Sequence, residues 1–323
     1  MKKDKRLLDL VRDKIRFKHY SLSTEKNYLL WIKHYILFHG KRHPKDMGKE
    51  EIEEFLTFLA IKKRVSPTTQ NQAFAALLFL YREILGVDIS EWNIQALRAK
   101  ERKRIPVVLT KEEVRSVLEN LNGVYKLIVT LMYGCGLRMS EVLNIRVKDI
   151  DFGYEKVYIW DSKSMKDRTL PLPQSLKEEL TAQVKKVEAL HAKDIKDGYG
   201  NVYLPYAIER KFPKAKYETK WQYIFPMKKV SRDPRSGIVR RHHILEKTLG
   251  RNISQATKRA NLTKRVTSHT FRHSYATHLL QNGIDIRSIQ ELLGHKSVET
   301  TMIYTHVVKE LSRQEVKSPL DFI

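Results

Sequence analysis

The chain has 323 residues, with 61 Lys and Arg against 37 Asp and Glu, and its formal net charge is +24 at pH 7. That length predicts two domains, and no apolar run in it reaches the roughly 18 residues that a membrane-spanning helix requires. The charged start MKKDKRLLDLVRDK lacks the apolar core of a secretion signal, and the single cysteine, Cys135, excludes an intrachain disulfide and a cysteine-rich zinc site. We therefore expect a cytoplasmic protein.

The positive charge is unevenly distributed. Between His191 and Arg265, nineteen Lys and Arg face only six Asp and Glu. Each phosphate that such residues neutralise releases condensed counterions, so the segment favours a nucleic-acid partner. An anionic membrane fits less well, because the sequence contains no long basic amphipathic helix with an aromatic apolar face.

The first hundred residues show helical patterns only. In STEKNYLLWIKHYILFHG, apolar residues recur at helical spacing from Tyr28 to Ile36, and Gly40 follows as a stop. EEIEEFLTFLAIKK repeats the pattern, and Ser66-Pro67 opens a further helix in the N-cap and first-turn order. We predict a helical bundle over residues 1–100, followed by a linker at 101–106, where RAKERKRIP offers little to bury.

Residues 107–323 show a mixed pattern, which predicts a mainly α protein with a small antiparallel sheet. Thr110 and Glu113 form a capping box that begins a new helix. The segments RVKDIDF, KVYIW and RTLPLP favour strands because of their β-branched and aromatic content and the turns between them. Further helices are predicted at 174–190, 243–262, 269–281 and 285–293, and Gly294 ends the last of these.

Histidines and an arginine are concentrated in SHTFRHSYATH, residues 268–278. On a helix, His269, Arg272 and His273 share one side. A zinc site is disfavoured, because HTFRH has no Glu for a zinc hydrolase and places a cation beside the second histidine. We predict no metal, and surface or helix-capping histidines are the simpler alternative to an anion site.

Other segments add residues suited to phosphate chemistry. Arg138 follows two glycines in GCGLRMSE, and Glu141 stands one turn later, where it can orient the guanidinium. His295 follows a helix end in LLGH, and Tyr304 is expected on the next helix. Arginines bind phosphate bidentately, imidazoles donate hydrogen bonds, and a phenol can attack phosphorus. Since no GxxxxGK[ST] loop is present, the energy of a cleaved phosphodiester would be kept in a covalent bond.

Arg138 in GLRMSE, His269-x-x-Arg272, Leu293-Gly-His295, and Tyr304 nine residues later resemble the catalytic signature of the tyrosine recombinase (phage integrase) family. The resemblance spans residues 107–310, and the helical region before it resembles that family's SAM-like core-binding domain. It implies an N-terminal helical core-binding domain, a C-terminal α+β catalytic domain and no cofactor. It also implies that the two arginines and two histidines bind the scissile phosphate, while Tyr304 forms a 3′-phosphotyrosyl link.

The family also uses a lysine in the turn between two strands. Lys163 in IWDSKSMKDRTLPL occupies that place and is our choice of general acid, with Lys166 as the alternative. The sequence departs from the family here, since serine and methionine replace the GKGGK-like glycines. Either lysine could instead contact the DNA backbone.

The region of about 191–242 resembles an insertion found in integron integrases and lacking from Xer-type and most phage relatives. That subfamily recombines gene-cassette attC sites, folded as single-strand hairpins, with a duplex attI site. Trp221, with Tyr217 and Tyr223 nearby, is suited to stack on an extrahelical base. The alternative is that Trp221, Tyr223 and Phe225 only pack the core of the insertion. The residues predicted to contact extrahelical bases are Trp221, Pro234, His242 and His243.

The resemblance further implies a homotetramer on DNA, in a bacterial cytoplasm and associated with the nucleoid when bound. The tail after His306 is expected to dock on a neighbouring protomer or to fold back on its own domain. Three other functions remain open at this point. They are an Xer- or phage-type recombinase on duplex sites, a type IB topoisomerase-like activity, and a catalytically silent DNA-binding protein.

Overall fold

The computed structural model describes residues 5–99, 106–160, 167–205 and 208–312. The chain divides into two compact units, Met1–Arg104 and Ile105–Ile323, here called the N-terminal and C-terminal units. Across the described ranges, no helix is both long and apolar enough to cross a bilayer.

The N-terminal unit consists of helices, as predicted. Its helices are α1 Leu7–Phe17, α2 Leu22–Phe38, α3 Lys49–Ile61 and α4 Pro67–Phe79, and α4 continues into a π-helical turn over Leu80–Leu85. The side chains of Ser21 and Ser66 cap α2 and α4 by accepting hydrogen bonds from backbone amides. In the core, the buried hydroxyl groups of Tyr35 and Tyr81 lie 3.0 Å apart, and Tyr81 donates to the carbonyl oxygen of Met47.

The C-terminal unit combines helices with two small sheets. The predicted capping box is confirmed, because Thr110 and Glu113 each accept a hydrogen bond from the other's backbone amide, at 3.2 and 2.8 Å. The elements, in chain order, are α5 Lys111–Glu119, α6 Gly123–Cys135, α7 Met139–Asn144, β1 Ile150–Asp151, β2 Lys156–Ile159, β3 Arg168–Pro171, α8 Lys177–Lys196, α9 Ile208–Lys211, β4 Ser231–Arg232, β5 Val239–Arg240, α10 Glu246–Arg259, α11 Ser268–Gln281, α12 Ile286–Leu293 and α13 Glu299–Ser312.

The first sheet is antiparallel in the order β1-β2-β3. The strands predicted in KVYIW and RTLPLP are confirmed. The strand predicted in RVKDIDF is confirmed only at Ile150–Asp151, which pairs with β2, while Arg146 forms an isolated bridge with Tyr223. The residues before Ile150 form a 3₁₀ turn because the carboxylate of Asp149 accepts the backbone N–H of Arg146 at 2.9 Å. An aspartate that bonds its own neighbouring backbone in this way competes with the strand ladder.

The core of the C-terminal unit surrounds α6. Ile128, Val129, Leu131 and Met132 on this helix are fully buried, and they belong to the same apolar cluster as strand residues of β2 and β3. Helix α11 packs against both α6 and α13. The C-terminal end of α6, the middle of α11 and the start of α13 are therefore held close together, and the residues that the sequence singled out lie there.

Candidate active site

A buried carboxylate organises two arginines at the start of α7. Arg138 is the N-cap residue of α7, and its Nη1 donates to Glu141 at 2.5 Å, as the sequence predicted. Arg168, on β3, binds the same carboxylate bidentately at 2.7 and 3.1 Å. Burial works to raise the pKa of Glu141, but the hydrogen bonds and charges of Arg168 and Arg138 outweigh it and lower the pKa to about 2. Glu141 is therefore ionised and keeps both guanidinium groups in place.

Arg272 is held by backbone carbonyl groups from two distant turns. Its Nη1 donates to Gly136 at 2.7 Å, and its Nη2 donates to Leu293. The guanidinium is almost fully buried, and burial, with the nearby charge of Arg138, lowers the pKa of Arg272 to about 10. It remains a cation at neutral pH and connects the end of α6 to the end of α12.

Tyr304, on α13, points into this cationic site. The side chain is only 2% exposed, and its hydroxyl oxygen lies 3.1 Å from Nδ1 of His273. Burial raises the pKa of Tyr304, whereas the positive charges of Arg272 and Arg138 oppose that rise. Both arginines therefore lie near the phenol, and their charges favour its ionised form.

His295 lies just beyond Gly294, which ends α12 in the left-handed conformation. Its Nδ1 is 2.9 Å from the hydroxyl of Thr301, and its ring is nearly parallel to that of Tyr304 with centroids 6.4 Å apart. Burial lowers the pKa of His295 to about 4, and the charges of the nearby arginines act in the same direction. The imidazole of His295 is therefore neutral at pH 7.

The remaining predicted residues are placed less fully. His269 is exposed on α11, with its ring 6.5 Å from that of His273. Lys163 and its alternative Lys166 lie outside the described residues. Within the described ranges, no three His, Cys, Asp or Glu side chains are grouped to hold a metal ion. The structure thus brings together Arg138, Arg272, His295 and Tyr304, with His269 one turn before Arg272 on α11.

The chain resembles known proteins along most of its length. A sequence model of the phage integrase family matches residues 107–310, and one for the N-terminal SAM-like domain of phage integrases matches residues 7–91. The chain belongs to the phage integrase family. This family member is similar to an integrase/recombinase from Escherichia coli, with 46% identity over 316 residues that cover 98% of this chain and 93% of the relative.

Further relatives identify the enzyme class of this phage integrase family member. The tyrosine recombinase XerA of Thermococcus onnurineus is 32% identical over 288 residues, or 88% of this chain and 87% of the relative. A tyrosine recombinase of Pseudothermotoga lettingae is 30% identical over 271 residues, or 82% of this chain and 80% of the relative. The prediction of a tyrosine site-specific recombinase is confirmed.

Solved structures share the fold of this recombinase. The Tn1549 transposon integrase in complex with transposon right-end DNA gives a TM-score of 0.63 at 16% identity, covering 97% of this chain and all of that one. The recombinase XerH bound to difH gives 0.61 at 19% identity, covering 96% of this chain and 84% of that one. The mainly α fold, with a helical N-terminal domain and an α+β catalytic domain, is confirmed.

In this recombinase, Arg146 joins the 191–242 segment to the rest of the C-terminal unit. Its guanidinium donates to the carbonyl oxygens of Trp221 at 2.6 Å and of Tyr203 at 2.8 Å. It also lies beneath the Trp221 and Tyr223 rings, 5.8 and 4.6 Å from their centroids. Asp194 and Arg241, near the two ends of the segment, form a bidentate ion pair with each other. The segment is thus closed at its base by this pair and held to its domain by Arg146.

The rings above Arg146 form a compact cluster, here called the ring cluster: Trp221, Tyr223, His242 and His243. The His242 and His243 centroids are 4.0 Å apart, and each lies just over 5 Å from Tyr223. Trp221 and both histidines are partly exposed, whereas Tyr223 is buried. The suggestion that Tyr223 helps to stack on a base is therefore wrong, because its ring is covered by its own segment. Tyr223 belongs to the small apolar core of the segment, as the packing alternative stated, whereas Phe225 belongs to the main core of the C-terminal unit.

The recombinase also exposes an aromatic platform beside Trp221. Trp160 is 55% exposed, and its indole N–H donates to Asp149 at 2.8 Å. The ammonium of Lys148 lies between two indoles, 5.1 Å from the Trp160 centroid and 4.8 Å from the Trp221 centroid. Lys148 also forms an ion pair with Asp149 at 2.5 Å. Exposed aromatic rings beside a lysine suit nucleobases and phosphates.

Sequence reasoning did not assign Arg168, His273 or Trp160. The alternation of β3, which turns Arg168 towards the core side of a half-buried strand, was a usable signal for the first. Helical spacing placed His273 on the same side as His269, but only the position of α13 brings a tyrosine to it. Trp160 carried no local signal, because its importance comes from Trp221, which is distant in sequence.

Proposed function

We propose that this tyrosine recombinase is an integron integrase, which joins gene cassettes by recombining folded single-strand attC hairpins with an attI duplex. The observation that carries the proposal is the partly exposed ring cluster over Arg146, in the same unit as the cationic tyrosine pocket. A recombinase that acts only on regular duplex has no need of an exposed platform of rings, whereas unpaired bases bind by stacking.

The proposed chemistry follows from the charges around the phenol. Arg138 and Arg272 would bind the non-bridging oxygens of the scissile phosphate, and His269 and His295 would add hydrogen bonds as charge builds at phosphorus. Tyr304 would attack phosphorus to give a 3′-phosphotyrosyl link and a free 5′-hydroxyl, with Lys163 or Lys166 as the proton donor to the leaving oxygen. The hydroxyl of another strand would reverse the step, so no cofactor is required.

The proposed base recognition uses the exposed members of the ring cluster. Arg146 and Lys148 both lie over the Trp221 ring, and the partly exposed indole would stack on an extrahelical base. His242 and His243 offer partly exposed edges, and Pro234 is exposed in the turn between β4 and β5. The 191–242 segment would act as the subfamily insertion.

The domain roles and the assembly belong to the same proposal. Residues 1–100 would be the core-binding domain, 101–106 the linker and 107–323 the catalytic domain. The SAM-like match at residues 7–91 supports the first role. We propose a homotetramer on DNA, with the tail after His306 linking protomers, in the bacterial cytoplasm and at the nucleoid. A net charge of +24 supports the DNA partner.

A nicked suicide hairpin tests the function. Cleavage next to the nick releases a short fragment, so the covalent complex accumulates and is read on an SDS gel. The wild-type protein should form the complex, whereas Tyr304→Phe should bind the hairpin equally and form none. If the covalent complex still forms in Tyr304→Phe, the nucleophile must be a residue other than Tyr304.

The choice of substrate is tested by Trp221→Ala. We expect this variant to lose affinity for a hairpin with extrahelical bases by roughly tenfold or more, since a stacked base is worth about 1–3 kcal/mol, and to bind perfect duplex almost normally. Phe212→Ala, which removes an exposed ring elsewhere on the segment, is the matched control. Equal losses on hairpin and duplex would instead favour an Xer-type recombinase of duplex sites.

A further inference from the structure

The hydroxyl of Tyr304 has a specific partner outside the signature residues. His273 Nδ1 lies 3.1 Å from it, and the two rings are 5.7 Å apart with planes inclined by 53°. The contact joins α11 to α13, which pack directly against each other. Because the hydroxyl is buried, this contact holds it beside the imidazole nitrogen, and in the tautomer with the ring proton on Nε2 the phenol donates to Nδ1.

The protonation of the pair follows from its surroundings. Burial lowers the pKa of His273 to about 4, and the charges of His269 and Arg272 act in the same direction. The imidazole is therefore neutral at pH 7, and one ring nitrogen carries a lone pair. Burial keeps the phenol protonated as well. In the free protein, a neutral phenol thus faces a neutral imidazole.

We propose that His273 is a further catalytic residue, whose Nδ1 accepts the phenol proton of Tyr304 when the tyrosine attacks DNA. This inference rests on the proposed role of Tyr304 as the nucleophile. In cleavage, the bond from the Tyr304 oxygen to phosphorus forms, the bond from phosphorus to the 5′-oxygen breaks, and the phenol proton moves to Nδ1. The 5′-oxygen leaves with a proton from the proposed lysine. In religation, the 5′-hydroxyl returns its proton to the lysine, and the imidazolium returns its proton to the tyrosine.

Substrate binding controls this transfer. The titratable and charged groups that face His273 are His269 and Arg272 from its own helix, Tyr304 from α13 and His295 from the loop after α12. Without DNA, the positive charge of Arg272 disfavours protonation of His273. A bound phosphate neutralises that charge, so the proton acceptor becomes more basic only when a phosphate is in the site. Activation of the nucleophile is thus coupled to substrate binding.

The decisive experiment combines two changes. His273→Asn keeps a hydrogen-bonding group near the Nδ1 position but takes up no proton, and 3,5-difluorotyrosine at position 304 supplies a more acidic phenol. With the nicked suicide hairpin under single-turnover conditions, we expect His273→Asn to lower the cleavage rate by about 100-fold or more with hairpin affinity unchanged. Difluorotyrosine at position 304 should recover most of that loss, because an acidic phenol needs less help from a base.

His278→Asn is the matched control. His278 lies on the same helix, and its Nδ1 is 2.8 Å from the hydroxyl of Tyr133, so it forms an equivalent histidine–tyrosine pair away from Tyr304. With tyrosine at position 304, His278→Asn should cleave as fast as the wild-type protein. With difluorotyrosine at position 304, the two proteins should again cleave at equal rates.

Three results would overturn the inference: cleavage by His273→Asn at the wild-type rate, a loss that the acidic phenol does not recover, or recovery seen for His269→Asn instead. A covalent complex in Tyr304→Phe would be a different failure, since it would refute the proposed nucleophile itself. If His273→Asn does not fold, the same pair of measurements on His273→Gln serves, because its amide also lacks a proton-accepting nitrogen.

Discussion

Arg168 is the residue that most clearly connects separate parts of the pocket. It binds both carboxylate oxygens of Glu141, and its Nε donates to the carbonyl oxygen of Leu292 at 2.9 Å. Its side chain passes so close to Gly294 that a Cβ there would lie 3.2 Å from it. The Arg168 guanidinium therefore holds two groups in place. One is the Glu141 carboxylate, which orients Arg138, and the other is the end of α12, which precedes His295.

We expect Arg168→Met to reduce the free energy of unfolding by about 3 kcal/mol, because it leaves part of the charge of a buried Glu141 unpaired. Cleavage should fall as well, since Arg138 and His295 lose a common support. Lys177→Met is the control, because it breaks an ion pair with Glu155 that is exposed to solvent and contributes little to stability. Urea unfolding measures the loss in both variants. Equal losses in the free energy of unfolding would show that Arg168 stabilises the fold no more than an exposed ion pair does.

At the scale of elements, the turn from α6 into α7 sets the position of the pocket. Gly136 ends α6 at φ 62°, and a Cβ there would lie 2.4 Å from the ring of Tyr275. Its carbonyl oxygen also receives Arg272. The glycine is therefore required both by its backbone conformation and by the close approach of α11.

Gly136→Ala should cost about 3 kcal/mol or more, since a left-handed residue with a side chain costs roughly 1–2 kcal/mol and the overlap with Tyr275 adds to it. Gly123 separates the two effects, because it has φ 54° but open space around its Cβ position. Gly123→Ala should therefore cost only about 1–2 kcal/mol. Thermal unfolding checks this, and similar losses in both variants would contradict the role of Tyr275.

Elements with local signals were predictable from sequence. The capping box at Thr110, the stop at Gly294, and strands β2 and β3 all carry residues whose own backbone chemistry sets the structure. The first part of the RVKDIDF strand failed because Asp149 bonds the backbone of Arg146 and forms a turn. Helix α10 begins at Glu246 rather than 243, because residues 242–244 pair with 225–227 instead. That pairing partner lies outside any local window.

The candidate site shows the same division. Periodicity and capping placed Arg138 beside Glu141, because the two residues are one helical turn apart. The partners of Arg272 and Tyr304 come from helices more than twenty residues away, so no spacing rule could supply them. The sequence also did not show which aromatic side chains are exposed. Trp221 and Tyr223 are two positions apart, but only the tyrosine is buried.

For the molecule as a whole, buried neutral histidines predict acid sensitivity. Burial lowers the pKa values of His243, His273 and His295 to about 4 each, against roughly 6.5 in an unfolded chain. Between these values the unfolded state binds more protons, so stability is lost as the pH falls through this window. We expect the free energy of unfolding to fall by about 2 kcal/mol or more from pH 7 to pH 5.

Urea unfolding at the two pH values measures this loss. Carboxylates contribute little above pH 5, and Glu141 and Asp233, whose pKa values are lowered to about 2, titrate well below the window. His243→Gln should reduce the pH dependence without abolishing it, because burial also lowers the pKa values of His242, His273, His278 and His295. Stability that stays constant from pH 7 to pH 5 would refute this assignment.

Arg146 has a consequence for how such enzymes diversify. Its charge is satisfied by carbonyl groups of the 191–242 segment, so deleting that segment would strand a guanidinium inside the fold. Losing the segment in one evolutionary event would therefore require a second change at position 146. An experiment that transfers substrate preference to a relative would likewise have to transfer Arg146 together with the 191–242 segment.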